Sequence, residues 1–294
     1  MWNKLNDAEN TDVDNHGEPR NVFFQRLKKY KTFFYLFFGF LMASLIIYAF
    51  YEYYFKKNGD FKLNCNDLNA RCLNYKFPSF KPERLHIVDV NTENNNYILR
   101  SSIPLFNGRN KNEKNNELSN KWCTMPMVLN EGWNISYSDN LTLHIISFLR
   151  NDLKEGCSYT SEHCFNKKNN IFNHIIVGHQ ENPYDINEDE IDDKLKSMSW
   201  NTDNLINQIK DLKQKFNTMK NTIFFIHCRR GRDRTGEFVS AYKMIEQNKD
   251  FNSIVEENEK IGKVKQQYVN MQKWLCLYLE RIMKNPNVKC FNFL

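Results

Sequence analysis

One short segment of the chain combines a cysteine and an arginine at a spacing that suits phosphate chemistry. Cys228 and Arg234 are separated by five residues, Gly231 lies midway between them, and Thr235 follows the arginine. A loop of this length between a strand and a helix can turn its backbone N–H groups inward around an anion, and the helix adds the positive end of its dipole. The sequence therefore predicts an oxyanion site with a cysteine at its mouth.

The same segment predicts a reactive thiolate. Backbone N–H donors and a helix N-terminus lower the pKa of a neighbouring cysteine, and the thiolate is the nucleophilic form. The planar guanidinium of Arg234 can hold two oxygens of one anion, and Gly231 permits a turn that a side chain would obstruct. We therefore expect Cys228 to attack an oxyanion that Arg234 and the loop hold in place.

The segments around this loop predict an α/β domain with a central sheet flanked by helices. Short apolar runs bounded by polar stretches predict strands at Leu85–Val90, Tyr97–Leu99, Leu143–Leu149, Asn173–Val177 and Thr222–Ile226. Helical periodicity predicts helices at Asn201–Phe216 with Thr202 as N-cap, directly after the loop, at Ile254–Ile261 and at Tyr268–Met283. The loop thus lies between a predicted strand and a predicted helix.

Residues 227–236, His-Cys-Arg-Arg-Gly-Arg-Asp-Arg-Thr-Gly, resemble the H-C-x-x-G-x-x-R-[ST]-G signature of the cysteine-dependent protein-tyrosine and dual-specificity phosphatase superfamily. Residues 97–104 are similar to the Y-R-S-x-x-P strand of atypical dual-specificity phosphatases, and residues 143–150 to their V-I-x-L-R strand. The resemblance spans roughly residues 85–284, about two thirds of the chain. It implies a protein-tyrosine-phosphatase-like fold.

The resemblance also implies roles for the loop residues. Cys228 would form a phosphocysteine, Thr235 would assist its breakdown, and His227 would help to keep the thiolate charged. The phosphate would be bound by the loop itself, with the residues Arg229, Arg230, Gly231, Arg232, Asp233 and Arg234. No metal or other cofactor is expected, because the loop and its arginine supply the electrostatic stabilisation.

The general acid is less clearly marked. The family places an aspartate on the loop after the strand that precedes the catalytic strand, but no Trp-Pro-Asp follows Asn173–Val177 here. We predict Asp185 as the acid, because Pro183-Tyr-Asp185 lies near the strand end. The acidic segment Glu181–Asp193, predicted as a loop that enters a helix, offers the alternatives Glu181, Glu188, Asp189, Asp192 and Asp193.

The rim of the loop indicates the class of substrate. Arg229, Arg230 and Arg232 suit a substrate with several phosphates, and the sequence Asp-Arg-Thr resembles the loop ending of many phosphoinositide phosphatases. We expect a phosphorylated protein of the tyrosine or dual-specificity type, with a phosphoinositide as the alternative. A phospho-binding pseudophosphatase, a buried structural thiol and a rhodanese-type sulfurtransferase are further alternatives, although the last does not require Gly231 or Arg-Thr-Gly.

The N-terminal part predicts a membrane anchor. Residues 32–51 carry no charge, and 20 residues of helix span about 30 Å, the thickness of a bilayer core. We therefore predict a disordered polar tail at 1–31, a single transmembrane helix at 32–55, a stalk at 56–80 and the phosphatase domain at 81–294. A net charge of +6 without a long Lys/Arg block excludes nucleic acid as an expected partner.

Three features favour a lumenal or extracytoplasmic domain. Five Lys or Arg residues precede the span closely and three follow it. Sequons occur at Asn134 and Asn140, in a chain with 42 Asn. The equally spaced pairs Cys65/Cys72 and Cys157/Cys164 predict short-loop disulfides on that side. Phosphotyrosine and phosphoinositides are cytosolic, however, and a low-pKa thiolate oxidises readily, so the cytosolic side remains the alternative.

Overall fold

The computed structural model describes residues 75–105, 140–165 and 170–290, together with residues 35, 37–46, 48, 65 and 72. The chain divides into two compact units, Met1–Gly59 and Asp60–Leu294. The predicted tail at 1–31 and most of the predicted span at 32–55 lie outside the described residues, although residues 37–46 are helical. Among the residues that are described, none of the helices has the length and apolar character needed to traverse a bilayer.

Five strands of the second unit form one mixed sheet, which confirms the predicted α/β architecture. The strands are β1 (His86–Asn91), β2 (Asn96–Ser102), β3 (Thr142–Ser147), β4 (Asn170–Asn173) and β5 (Thr222–Cys228). Their order is β1-β2-β5-β3-β4, with β1 antiparallel to β2 and all other neighbours parallel. The strand that ends at Cys228 is therefore the central one.

β5 takes this central position because both of its faces are apolar. Phe224 and Ile226 belong to the main hydrophobic core, whereas Ile223 and Phe225 belong to a second cluster on the other face. Alternate side chains of a strand point to opposite faces, so a strand buried on both faces has a continuous apolar sequence. The run Thr222–Ile226 predicted this strand for that reason.

Six α-helices of the second unit are described, and several of them pack beside the sheet. They are α1 (Gly156–Phe165), α2 (Glu188–Ser197), α3 (Leu205–Thr218), α4 (Asp233–Glu246), α5 (Phe251–Ile261) and α6 (Gln266–Leu277), and α6 continues into a π-helical turn at Tyr278–Ile282. Ten of the fourteen residues of α4 are buried, and α4 packs against α3, α5 and α6. The loop between β5 and α4 thus connects a fully buried strand to a largely buried helix.

Several predicted boundaries are wrong. The fourth strand is Asn170–Asn173 rather than Asn173–Val177, because Ile175 and Val177 are exposed and only Ile176 is buried. α3 begins at Leu205 rather than Asn201, and the side chain of Asn201, not that of Thr202, accepts the Leu205 backbone N–H. The predicted helix Tyr268–Met283 starts two residues earlier and leaves α-helical geometry after Leu277.

The predicted disulfide pairing is also wrong. The structure joins Cys65 to Cys164 and Cys72 to Cys157, and it adds a third bond between Cys276 and Cys290. Seven residues of helix α1 span about 10 Å, more than the ~7 Å between Cα atoms that a disulfide allows. Cys157 and Cys164 therefore each need a partner from another segment, and residues 65 and 72 supply these partners in antiparallel order.

Part of the predicted stalk at 56–80 packs into the domain. Cys72, Phe77 and Phe80 are buried in hydrophobic clusters. Their burial means that residues before position 81, the predicted start of the domain, also pack into it.

Candidate active site

The loop between β5 and α4 has the geometry that its sequence predicts. Cys228 ends β5 and is buried, and Arg234 lies in the first turn of α4. The backbone N–H of Gly231 donates to Cys228 Sγ at 3.2 Å. Gly231 has φ +68°, and a Cβ there would lie 2.4 Å from the carbonyl oxygen of Ser101. Only glycine fits this position, because strand β2 leaves no space for a side chain.

The surroundings of Cys228 favour its thiolate. Burial alone would raise the pKa of the thiol, but the guanidinium of Arg234 lowers it, and so do the hydroxyl of Thr235 and the backbone N–H groups of Thr235 and Arg230. The net result is a pKa below the ordinary value for cysteine. The structure thus brings together Cys228, Arg234 and Thr235 as the sequence predicts.

Glu155 holds the guanidinium of Arg234, and no sequence signal had marked it. Nη2 of Arg234 donates to Glu155 Oε1 at 2.5 Å and Nη1 to Oε2 at 2.8 Å, while Nη1 also donates to the carbonyl oxygen of Phe148. Burial opposes both charges, yet the pairing raises the pKa of Arg234 and lowers that of Glu155. A bidentate pair of this kind fixes the plane of the guanidinium before any anion binds.

His227 is held by a second buried carboxylate. Its Nε2 lies 2.6 Å from Glu162 Oε1, and both side chains are fully buried. The other ring nitrogen, Nδ1, has no hydrogen-bond partner within the described residues. The side chain of His227 faces Phe225 and thus the side of β5 opposite Cys228. Glu162, like Glu155, was missed because its helix has no apolar periodicity.

Arg100 supports the loop from behind. This buried residue of β2 donates from Nη2 to the carbonyl oxygen of Gly231 at 3.2 Å and from Nη1 to Asn258 Oδ1 at 2.9 Å. Burial lowers its pKa to about 10, against the opposing effects of Cys228 and Glu257, so the guanidinium stays charged at neutral pH. The sequence resemblance of residues 97–104 includes Arg100, but it does not predict this contact with the loop.

The three rim arginines differ in their surroundings. Arg229 is half-buried with its guanidinium carbon 6.0 Å from the ring centroid of Tyr75, Arg230 is exposed, and Arg232 pairs with Asp233 at 3.3 Å. Arg84 adds a further cation, because its Nη1 donates to the carbonyl oxygen of Arg230 at 2.6 Å. The mouth of the loop is therefore cationic.

The side chain of Asp233 makes a structural contact in addition to the phosphate-binding role predicted for the loop. Its Oδ1 accepts the backbone N–H of Lys265 at 3.0 Å. This bond joins the loop to the residue that precedes α6.

Asp185, the predicted general acid, lies apart from these residues. It ends the short 3-10 helix Pro183–Asp185, it is exposed, and its charge raises the pKa of Lys273 against the stronger lowering effect of burial. In the described part of the chain, no contact joins Asp185 to Cys228 or Arg234. Its catalytic role stays a prediction.

No protein-family model matches the chain, and no curated protein matches its sequence. Similar solved structures include TpbA of P. aeruginosa, with 13% identity over 64% of this chain and 88% of that one and a TM-score of 0.32. A leucine-rich repeat and phosphatase domain protein of Entamoeba histolytica has 12% identity over 68% and 96% of the two chains and a TM-score of 0.34.

PTPMT1 in complex with PI(5)P has 15% identity over 67% of this chain and 98% of that one, with a TM-score of 0.32. TpbA was also solved in complex with pTyr, with 12% identity over 64% and 87% of the two chains and a TM-score of 0.31. The activity of this chain is inferred from its own side chains.

Proposed function

We propose that this chain is a cysteine-dependent phosphatase that hydrolyses phosphate monoesters through a phosphocysteine intermediate. The observation that carries this proposal is the buried thiol of Cys228, whose pKa is lowered by Arg234 and by loop N–H groups. A cysteine with a purely structural role lies among apolar groups, where burial raises the pKa of its thiol and keeps it unreactive. Such a cysteine has no need of the donors that surround Cys228.

The reaction proceeds in two displacements. The Cys228 sulfur attacks phosphorus, the bond to the ester oxygen breaks, and the departing oxygen takes a proton from the general acid, which we predict to be Asp185. Water then attacks the phosphocysteine and releases inorganic phosphate and the thiolate, with Thr235 assisting. Arg234 and the loop N–H groups stabilise the charge on the equatorial oxygens in both steps.

The proposed substrate is a phosphorylated protein of the phosphotyrosine or dual-specificity type. A phosphoinositide is the second candidate, and the cationic rim of Arg84, Arg229 and Arg230 favours it, because several guanidinium groups suit a headgroup with several phosphates. A pseudophosphatase that only binds phosphate is the third candidate, and turnover distinguishes it from the other two.

We also propose that residues 32–55 anchor the protein in a membrane with the catalytic domain on the lumenal or extracytoplasmic side. Six of the described cysteines form disulfides, whereas Cys228 is free. Disulfides of this kind persist in oxidising compartments. This supports the side of the membrane that the charge asymmetry and the sequons favour.

The full chain in detergent, assayed on an aryl phosphate, tests the proposed activity. We expect turnover by the wild type and none by Cys228→Ser, while vanadate still binds to the variant because the anion site consists mainly of backbone N–H groups. Parallel assays on a phosphotyrosine peptide and on phosphoinositide vesicles separate the two substrate classes. Equal turnover by wild type and variant would refute nucleophilic catalysis.

A further inference from the structure

Helix α1 presents two carboxylates to the catalytic loop and two cysteines to another segment. Glu155 lies immediately before the helix, and Glu162 lies within it, seven residues later. Cys157 and Cys164 are also seven residues apart. Seven residues are about two turns, so each pair forms a stripe along the helix. The two stripes are offset by two residues, or about 200° around the axis, and thus lie on opposite sides.

The carboxylate stripe holds two residues of the catalytic segment. Glu155 binds the guanidinium of Arg234 at 2.5 and 2.8 Å, and Glu162 binds His227 at 2.6 Å. All four side chains are buried. The position of α1 therefore determines the position of the phosphate-binding arginine and of the residue before the nucleophile.

The cysteine stripe is bonded to the segment that precedes the sheet. Cys164 is joined to Cys65, and Cys157 to Cys72, across sequence separations of 99 and 85 residues. Cross-links that close long loops constrain the chain most in the loop-entropy account. The same segment continues to Tyr75, whose hydroxyl donates to the carbonyl oxygen of Lys154 at 3.0 Å.

Apolar packing does little to hold α1 in place. Its buried side chains include Ser158, Thr160, Ser161 and Glu162. The hydrophobic cluster beside it is small and includes one of the disulfides, with the members Cys72, Phe77, Ile103, Leu105, Leu149 and Cys157. A helix without an apolar face lacks the usual source of helix docking, so the two disulfides replace it.

We propose that α1 is a disulfide-held positioning element, and that the phosphatase is active only when Cys72–Cys157 is formed and Cys228 is reduced. This inference rests on the proposed function. A dithiol reductant passes two electrons to the disulfide, so that two protein thiols form and the reductant becomes a disulfide. The N-terminal end of α1 is then free to carry Glu155 away from Arg234, while Cys65–Cys164 still holds the other end, and the site loses its bound geometry. Reduction thus inactivates an enzyme whose nucleophile itself requires reduction.

The test compares two double variants of the full chain in detergent. Cys72→Ala/Cys157→Ala removes the proposed holding bond, and Cys276→Ala/Cys290→Ala removes the third disulfide as a matched control. The measurements are kcat and KM on an aryl phosphate and the pH midpoint of iodoacetamide alkylation of the Cys228 peptide, read by mass spectrometry. The alkylation midpoint reports on the surroundings of Cys228 even if the wild type has no turnover. An absence of turnover would count against the proposed function and not against the role of the disulfide.

We expect the first variant to lose at least tenfold in kcat, with a smaller change in KM, and to show a higher alkylation midpoint for Cys228, because Arg234 is no longer oriented. The control variant should stay within about twofold of wild type in both. Wild-type kcat and midpoint in the first variant would overturn the proposal.

Partial reduction of the folded wild type provides a second measurement if the first variant does not fold. Molecules are separated by which disulfide they have lost, and the alkylation of Cys228 is compared among them. Loss of Cys72–Cys157 should raise the Cys228 midpoint, and loss of Cys276–Cys290 should not. An unchanged midpoint in molecules that lack Cys72–Cys157 would overturn the proposal.

Discussion

The chemistry of the site depends on three charged groups, each of which acts on the next. The thiolate of Cys228 is stabilised by Arg234, and Arg234 is oriented by Glu155. A charge-assisted bond between buried groups is stronger than a neutral one, and removal of one partner leaves the other buried without compensation. Glu155 therefore contributes to the anion site together with the signature residues, although it lies 79 positions from Arg234 in sequence.

Glu155→Gln should weaken the site while preserving its shape. The amide retains one acceptor but loses the charge, so we expect kcat/KM to fall by about 10- to 100-fold, in line with the ~1.5–3 kcal/mol of a bond to a charged group. Steady-state kinetics on an aryl phosphate measures this effect. Wild-type kcat/KM in the variant would contradict the orienting role.

The lowered pKa of Glu155 also gives a pH dependence with a definite sign. A carboxylate whose pKa is depressed in the folded protein stabilises it above the unfolded value of about 4.3, and this stability is lost as pH falls through the folded value. Wild type should thus lose more stability in acid than Glu155→Gln does. Urea unfolding at pH 7 and at acid pH compares the two proteins.

Asp185→Ala tests the predicted general acid. Loss of the acid should lower turnover by about 10²- to 10⁴-fold on esters with poor leaving groups, and far less on aryl phosphates whose leaving group needs no proton. Glu181→Ala and Asp189→Ala are the matched controls on the same segment. If one of these shows the leaving-group dependence and Asp185→Ala does not, the assignment of the acid is wrong and the nucleophilic mechanism is unaffected.

At the scale of elements, the loop after β4 is fixed by one carboxylate from a different segment. Oδ2 of Asp203 accepts the backbone N–H groups of Val177 and Gly178 at 2.9 and 2.6 Å. Burial raises the pKa of Glu237 well above its ordinary value, and Asp203 adds to this effect. A single side chain of the segment before α3 thus fixes the loop that follows β4.

Asp203→Ala should release this loop from the domain. A buried N–H group and a partly buried one lose their acceptor, and we expect the free energy of unfolding to fall by about 1–3 kcal/mol. Urea unfolding measures the change. The control Asp211→Ala removes an exposed i,i+4 pair with Lys215 and should change stability by less than about 0.5 kcal/mol. Similar values for both variants would show that Asp203 does not anchor the loop.

The sequence predicted the elements whose apolar pattern matches their burial. β5 and α4 were predicted because Thr222–Ile226 is continuously apolar and the signature loop separates it from a helix. β4 was misplaced because Ile175 and Val177 are apolar yet exposed. α1 was missed because its buried face is polar and its packing depends on disulfides to distant residues, which the local pattern of a sequence does not encode.

For the site, the sequence predicted the residues that act locally and not those that act through tertiary contacts. Cys228, Gly231 and Arg234 act through local backbone geometry, so their spacing was sufficient to predict the loop. Glu155 and Glu162 act through tertiary contacts, and a single glutamate near a helix has no distinctive spacing. The predicted disulfide partners were wrong because equal spacing does not reveal whether two cysteines bond to each other or to a second, equally spaced pair.

At the scale of the whole molecule, the disulfides and the nucleophile require opposite redox states. Three disulfides support an oxidising compartment, whereas Cys228 must stay a thiol for catalysis. Its burial limits access by oxidants. In the described residues, no other free cysteine lies beside it to form a disulfide. The two requirements are therefore compatible in one domain.

Protease protection tests the proposed topology. With the catalytic domain in the lumen, a C-terminal epitope after Leu294 should survive protease treatment of sealed, cytosol-side-out vesicles, and an N-terminal epitope should be digested. Detergent should make both accessible. Glycosylation at Asn134 or Asn140, read as a mobility shift with an endoglycosidase, should accompany protection. Digestion of the C-terminal epitope without detergent would place the domain in the cytosol.

The central claim is that Cys228 carries the phosphoryl group during turnover. The most direct measurement is acid quenching of the full chain during hydrolysis of an aryl phosphate, followed by mass spectrometry of the peptide that contains Cys228. We predict one added phosphoryl group on that cysteine at early times, absent when substrate is omitted and absent in Cys228→Ser. Continued release of inorganic phosphate by Cys228→Ser, with no phosphorylated cysteine in the wild type, would contradict the claim.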